Sequence, residues 1–193
     1  MRRAWQCWLR TEAYGLLKDE KGSAHLLLFG LLGMITAAFI WVIAFNWMMQ
    51  TYGMNKTKPL LDRATHAASL DIVLEEAALG RLVWDSTKGT DDFYRYLRLN
   101  LKLNSDLTPE AGSHLREALV VHRLEFVTSP AYPYVLQRTV TVHTGTAKQT
   151  TRNVQVTIYG PSVVAIVELN QPLLGLSRSE PVVFSSVASV RFR

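Results

Sequence analysis

Residues 18–45 read KDEKGSAHLLLFGLLGMITAAFIWVIAF, and the fold turns on how this stretch is read. It opens on a charge cluster, Lys18 to Lys21, followed by a small pair, Gly22-Ser23. From Leu26 to Phe45 no residue is charged, and Thr36 is the only polar one. A helix rises about 1.5 Å per residue, so this run spans roughly 30 Å, the thickness of a bilayer's hydrocarbon core. A helix in a soluble core keeps a polar face, and this run has none. It reads as a transmembrane helix, assigned with its flanks to residues 23–50. It is longer than the about 7–15 apolar residues of a secretory signal, and Asn46 to Gln50 is no small-x-small cleavage site. The span is therefore expected to stay in the protein.

Charge sets the expected orientation. Arg2, Arg3, Arg10, Lys18 and Lys21 precede the span, and Lys56, Lys58 and Arg63 follow it. The positive-inside bias places residues 1–22 in the cytoplasm as a charged leader, with the remainder extracytoplasmic. Within the leader, AWQCWLRTEAYGLL is open to two readings, an amphipathic helix on the inner membrane surface or a poorly ordered tail. Cys7 is the single cysteine, so the outer part has no internal disulfide and depends on packing. The net charge of +5 is spread without a concentrated basic patch, which argues against nucleic-acid binding.

Residues 51–117 read as an extracytoplasmic helical region. Trp47 and Tyr52 stand where an interfacial aromatic belt belongs. A break is expected near Gly53, with Pro59 opening a new helix that runs to about Leu79 and stops at Gly80. Leu60, Ala64, Ala67, Asp71, Leu74 and Ala78 would share its inner face. Thr90 is the expected N-cap of the next helix, whose stripe is Phe93, Tyr94, Leu97 and Leu101. Thr108-Pro109-Glu110 carries the start signal of a further short helix, weakened by Gly112.

Residues 118–193 change to strand patterning. LVVHRLEFVT, YVLQRTVTVHT, NVQVTIYG, SVVAIVELN and PVVFSSVASVRF are rich in β-branched and aromatic residues and are separated by turn formers. Val154, Val156 and Ile158 alternate with Gln155 and Thr157, as in a half-buried strand. A hairpin tip is expected between Thr144 and Arg152, and Tyr159 to Ser162 forms a tight connection. The fold class is α+β: an N-terminal transmembrane helix with a helical extension, then an antiparallel β-sheet domain of four to five strands with the preceding helices on one face.

No constellation carries catalysis or a cofactor. His25, His66, His114, His122 and His143 show no His-Glu-x-x-His and no i, i+4 pairing, so no metal site is expected. Glu75 and Glu76 point about 100° apart on a helix and do not converge. His66, Ser69 and Asp71 crowd one helix without the strained turn or oxyanion donors that a nucleophile needs. Gly30, Gly33 and Ala37 lie close to one helix face, and Gly33-x-x-x-Ala37 is a small-x-x-x-small pair. Such a face suits close packing of membrane helices, and glycine is also common in such helices.

The layout resembles type IV pilin-like proteins, and most nearly the TadE-like assembly proteins of tight-adherence (Tad/Flp) pilus systems. The resemblance rests on EKGSAHLLLFGLLGMITAAFI, LLDRATHAASLDIV and SVVAIVELNQPLLGLS. It implies a cut by a prepilin-type peptidase after Gly22, leaving Ser23 as the new N-terminus. It also implies a role as a minor subunit or assembly factor among other pilin-like subunits or inner-membrane proteins. Pilin-like precursors carry a glutamate at the fifth position after the cut, where this chain has Leu27. That departure argues against a shaft-forming subunit and leaves an initiating or accessory subunit, or an uncleaved anchor. The expected function is thus a non-enzymatic single-pass protein of the cytoplasmic membrane. The alternatives are a membrane-anchored binding or sensor module with a permanent cytoplasmic segment and, more remotely, a membrane-tethered hydrolase.

Overall fold

The structure is a computed structural model that describes residues 20–128, 131–143, 149–172 and 179–190. The leader stretch AWQCWLRTEAYGLL and residues 144–148 of the hairpin tip expected at 144–152 lie outside the described residues, while Thr150 to Arg152 belong to a strand, not to the tip. The chain divides into two units with the boundary between Met48 and Met49.

Helix α1 runs from Glu20 to Ser69. In the first unit its apolar side chains from Leu26 to Phe39 are exposed. Among the described residues this is the one helix long and apolar enough to cross a membrane. The Thr36 hydroxyl donates to the Leu32 carbonyl at 2.8 Å, which satisfies the polar group of the apolar run within the helix itself.

In the second unit α1 continues without the break expected at Gly53, and Pro59 lies inside it, not at the start of a new helix. A proline in a helix interior costs about 3 kcal/mol. Burial on either side outweighs that cost: Thr57, Leu61, Ala64, Thr65, Ala68 and Ser69 are all buried along one face. This face is turned by one residue from the one read in the sequence: Leu61 and Ala68 are buried where Leu60 and Ala67 are only half-buried, and Leu74 lies outside α1 and is exposed. The helix ends at Ser69, whose hydroxyl takes the His66 carbonyl at 2.7 Å. The chain then makes an isolated bridge, Ile72 to Trp84, around the short α2 (Leu74–Ala78). Gly80 follows α2 with φ +73°, the left-handed conformation expected of a helix stop.

Helix α3 is Ser86–Leu101. Its N-cap is Asp85, which accepts from the Lys88 amide at 3.0 Å, and not Thr90. Thr90 lies one turn inside, its hydroxyl on the Ser86 carbonyl. Of the stripe read from the sequence, Phe93, Leu97 and Leu101 are buried and Tyr94 is half-buried. No helix forms at Thr108. Asp106 instead accepts from both the Thr108 amide and hydroxyl, and this local turn competes with helix formation.

Among the described residues five antiparallel strands follow: β1 (Val120–Val127), β2 (Tyr134–Val142), β3 (Thr150–Ile158), β4 (Ser162–Pro172) and β5 (Ser179–Ser189). They form two sheets, β1-β4-β5 and the hairpin β2-β3. Residues 159–161 join β3 to β4 across the two sheets, so this tight connection does not make them hydrogen-bonded neighbours.

The three-stranded sheet is the middle layer. Its face with Val163, Ala165, Val167 and Leu169 packs on α1 and α3, through Leu61, Phe93 and Leu97. The opposite face, with Val164 and Ile166, packs on Leu136, Val140 and Ile158 of the hairpin. Strand β4 is therefore buried on both sides, which is why it reads VVAIV and not as an alternating pattern. Between sheets, Arg138 of β2 grips Glu125 of β1 with two hydrogen bonds, Nε to Oε1 at 2.8 Å and Nη2 to Oε2 at 2.7 Å.

Candidate functional site

The second unit carries a cleft of about 230 Å³. One wall is α1, where Met49, Gly53 and Thr57 recur at four-residue spacing on one face, with Gln50 and Tyr52 beside them. The other wall is the segment His114 to Arg116, and the floor is the end of β4, Leu169 to Gln171.

The strand register opens this space. The first residue of β1, Val120, pairs with Glu168 of β4. On its other side β4 stays paired with β5 as far as Pro172 and Ser179. Residues 169–172 therefore run past the start of β1.

Each wall is held by its own polar contacts. The Ser113 hydroxyl donates to the Leu101 carbonyl at 2.7 Å and accepts the Leu115 amide at 3.2 Å. This sets His114 against α1, where its Nε2 lies 2.9 Å from the hydroxyl of buried Thr57. Burial, and then the nearby Lys56 ammonium, push the His114 imidazole below its ordinary pKa, so it is neutral at pH 7.

The floor is different. Gln171 is only 6% exposed, yet neither its Nε2 nor its Oε1 has a hydrogen-bond partner. The buried Oδ1 of Asn170 has none either. Each buried unpaired polar group costs about 1–3 kcal/mol. Gly53 makes the space for this amide, because a Cβ there would stand 2.9 Å from Gln171 Nε2.

A second polar group lies on the opposite face of the middle sheet. A β-bulge between Val121 and Arg123 re-aims His122 so that its Nε2 meets Glu168 Oε2 at 2.8 Å. Glu168 is buried, and its other oxygen takes the His143 amide at 3.5 Å.

The residues singled out from the sequence fall elsewhere. Gly22 and Ser23 lie in the first turn of α1. Gly30, Gly33 and Ala37 are exposed on α1, with nothing within 4 Å of a Cβ built on either glycine. Ser69 and His66 are adjacent, but the serine hydroxyl donates to the His66 carbonyl, and Asp71 pairs with Lys88 at 2.8 Å. Among the described residues no group of three His, Cys, Asp or Glu is placed to hold a metal. The sequence reading missed Asn170 and Gln171. They follow an apolar run with no motif around them, and only the tertiary structure shows that Gln171 is buried and Asn170 half-buried.

No family model, curated protein or solved structure matches the chain.

Proposed function

We propose that this chain is a non-enzymatic single-pass membrane protein that serves as an accessory, pilin-like component of a Tad-type pilus or secretion assembly. The observation that carries the reading is the continuity of α1. A single helix supplies the exposed apolar run from Leu26 to Phe45 and then Leu61, Ala64 and Ala68 of the β-domain core. This supports a domain anchored to a bilayer by an element of its own core. In this reading the N-terminus is cytoplasmic, the β domain extracytoplasmic, and a prepilin-type peptidase cuts between Gly22 and Ser23. Gly30, Gly33 and Ala37 then pack against partner helices in the bilayer. Leu27, in place of a glutamate, fits an accessory role.

The test is the mass of the mature chain, purified from membranes of a host with an active prepilin peptidase. A chain beginning at Ser23 is the expected result. A chain that keeps residues 1–22 removes the processing claim and leaves the second reading, a membrane-anchored binding module. That second reading draws its support from the cleft between α1, residues 114–116 and the end of β4.

A further inference from the structure

Strand β5 is an edge of the three-stranded sheet, whose order is β1-β4-β5. Its pairing with β4 runs from Pro172 and Ser179 to Ser162 and Ser189 without a register shift. The same register continues to Pro161 and Val190, where the Val190 amide donates to the Pro161 carbonyl at 2.9 Å. In an antiparallel ladder, residues that exchange hydrogen bonds alternate with residues whose N–H and C=O point away from the partner strand. Val190 therefore sets the phase. Glu180, Val182, Phe184, Ser186 and Ala188 bond to β4, and Pro181, Val183, Ser185, Val187 and Ser189 turn their main chain outward. The 2.7 Å contact between the Ser162 and Ser189 hydroxyls agrees, since side chains come closest at pairs that do not exchange bonds. Among the described residues no main-chain hydrogen bond reaches the outward groups.

This edge lacks the devices that deter pairing, which are bulges, lysines and other charges. β1, the opposite edge of the sheet, has a bulge between Val121 and Arg123 and carries Arg123 and Glu125. From Val182 to Ser189 β5 reads VVFSSVAS, with no charge and no bulge. Pro181 stands at an outward position, where its missing N–H costs no bond to β4 and marks one end of the open ladder. At Val183, Ser185, Val187 and Ser189 the edge then offers an N–H and a C=O in turn, a series that only extended main chain matches. Val183 and Val187 are half-buried on the hairpin side of the sheet, with Ser185 between them. An added strand fits best with apolar side chains beside the two valines and a small polar one beside the serine.

We infer that β5 accepts an extended, uncharged segment of a partner protein as a further strand, with main-chain hydrogen bonds at Val183, Ser185 and Val187. A second copy of this chain is not the occupant. The two-fold axis that pairs β5 with itself stands perpendicular to the sheet and reverses α1, whose buried face from Leu61 to Ala68 lies on that sheet. Two chains anchored by α1 in one bilayer do not meet in that way. This exclusion rests on the single-pass reading, and the open ladder is independent of it.

The test uses the full chain in dodecylphosphocholine micelles, with amide exchange read residue by residue by NMR. In the free chain the amides of Val183, Ser185 and Val187 are expected to exchange about a hundredfold or more faster than those of Phe184 and Ser186. The probe is acetyl-Thr-Val-Thr-Ser-Thr-Val-Thr-amide, N-methylated at its two inner threonines, which leaves one edge of the peptide able to bond and stops its own aggregation. It is expected to bind saturably and to slow the three outward amides about tenfold or more. The same peptide N-methylated throughout is expected not to bind. Ser185→Ala should bind as the parent chain does, because the contact is main chain. Ser185→Pro removes one outward N–H and no bond to β4, and it should weaken binding about tenfold or more. Amide exchange in the parent chain decides the matter without either variant. The inference is overturned if the outward amides are already protected in the free chain at one copy per micelle, if the peptide leaves their exchange unchanged, or if the fully methylated peptide binds equally well. Protection that appears only as two copies associate would give the edge to a second copy and also overturn it. That outcome would count against two chains sharing a bilayer through α1 and would have no bearing on the cut after Gly22.

Discussion

Gly89 of α3 lies against Phe126 of β1 so closely that a Cβ on the glycine would stand 2.9 Å from two carbons of the ring. It would also stand 3.0 Å from the Ala68 carbonyl of α1. The contact is where two helices and the sheet meet, and only a residue without a side chain fits. Gly89→Ala gains up to about 1 kcal/mol of helix propensity but overpacks the junction by about 1–3 kcal/mol. A net loss of stability is expected, seen as a lower urea midpoint by circular dichroism with an unchanged slope.

The core stripe of α3 gives a sharper contrast. Leu97 is fully buried, and Leu99, two residues on, is 67% exposed. Leu97→Ala should cost about 2–5 kcal/mol, the loss of transfer energy plus a cavity. Leu99→Ala should stay within about 0.5 kcal/mol of the parent. Equal effects in thermal denaturation would contradict the assigned face of the helix.

Glu125 and Arg138 join the two sheets by a two-pronged hydrogen bond. The Arg138 guanidinium holds the Glu125 carboxyl below its ordinary pKa. A depressed carboxylate contributes stability above its unfolded pKa, and that contribution is lost as pH falls through the lower folded value. Arg138 is more than a third exposed, so solvent screening keeps the pair to about 1 kcal/mol or less. Glu125→Gln should reduce stability by that order at pH 7, with the difference from the parent vanishing in acid.

His114 titrates the other way in charge but to the same end. Burial and Lys56 lower its pKa in the folded chain, so the unfolded chain binds the proton more readily. Its contribution to stability is present above the unfolded value and is lost as pH falls below it toward the folded value. His114→Gln should flatten this part of the pH–stability curve. The measurement is the urea midpoint across pH 7 to 5 for the two chains.

The Gly30, Gly33 and Ala37 face lies open. If it packs on partner helices in a bilayer, Gly33→Ile should weaken helix association, measured by energy transfer between labelled chains in vesicles. The thermal midpoint of the β domain should not change, because α1 contributes to its core only from Thr57 onward. Unchanged association would leave these glycines as ordinary residues of an apolar helix.

The candidate site was much less legible than the elements around it. His114 and Gly53 drew notice in the sequence for other reasons, as a possible ligand and a helix break. Neither role is seen in the structure, where one pairs with Thr57 and the other makes room for Gln171. Asn170 closes the segment SVVAIVELN and Gln171 follows it, and a one-dimensional pattern does not report how far the neighbouring strand extends.

The sequence alone determined the apolar run from Leu26 to Phe45, the buried stripe Phe93-Leu97-Leu101 and five strands in nearly their observed places. These depend on local periodicity and on uninterrupted apolar length, which are properties of short windows. Tertiary structure decided that α1 passes Gly53 and Pro59 unbroken, since burial of Thr57, Leu61 and Ala64 outweighs the local cost of the proline. It also decided that five strands divide into two sheets, with β4 covered on both faces, and that β1 starts opposite Glu168. That last register leaves the end of β4 past the start of β1, and Gln171 on the floor of the cleft with its amide unpaired. No local pattern sets such a register, because it follows from which surfaces of the whole domain can be buried together.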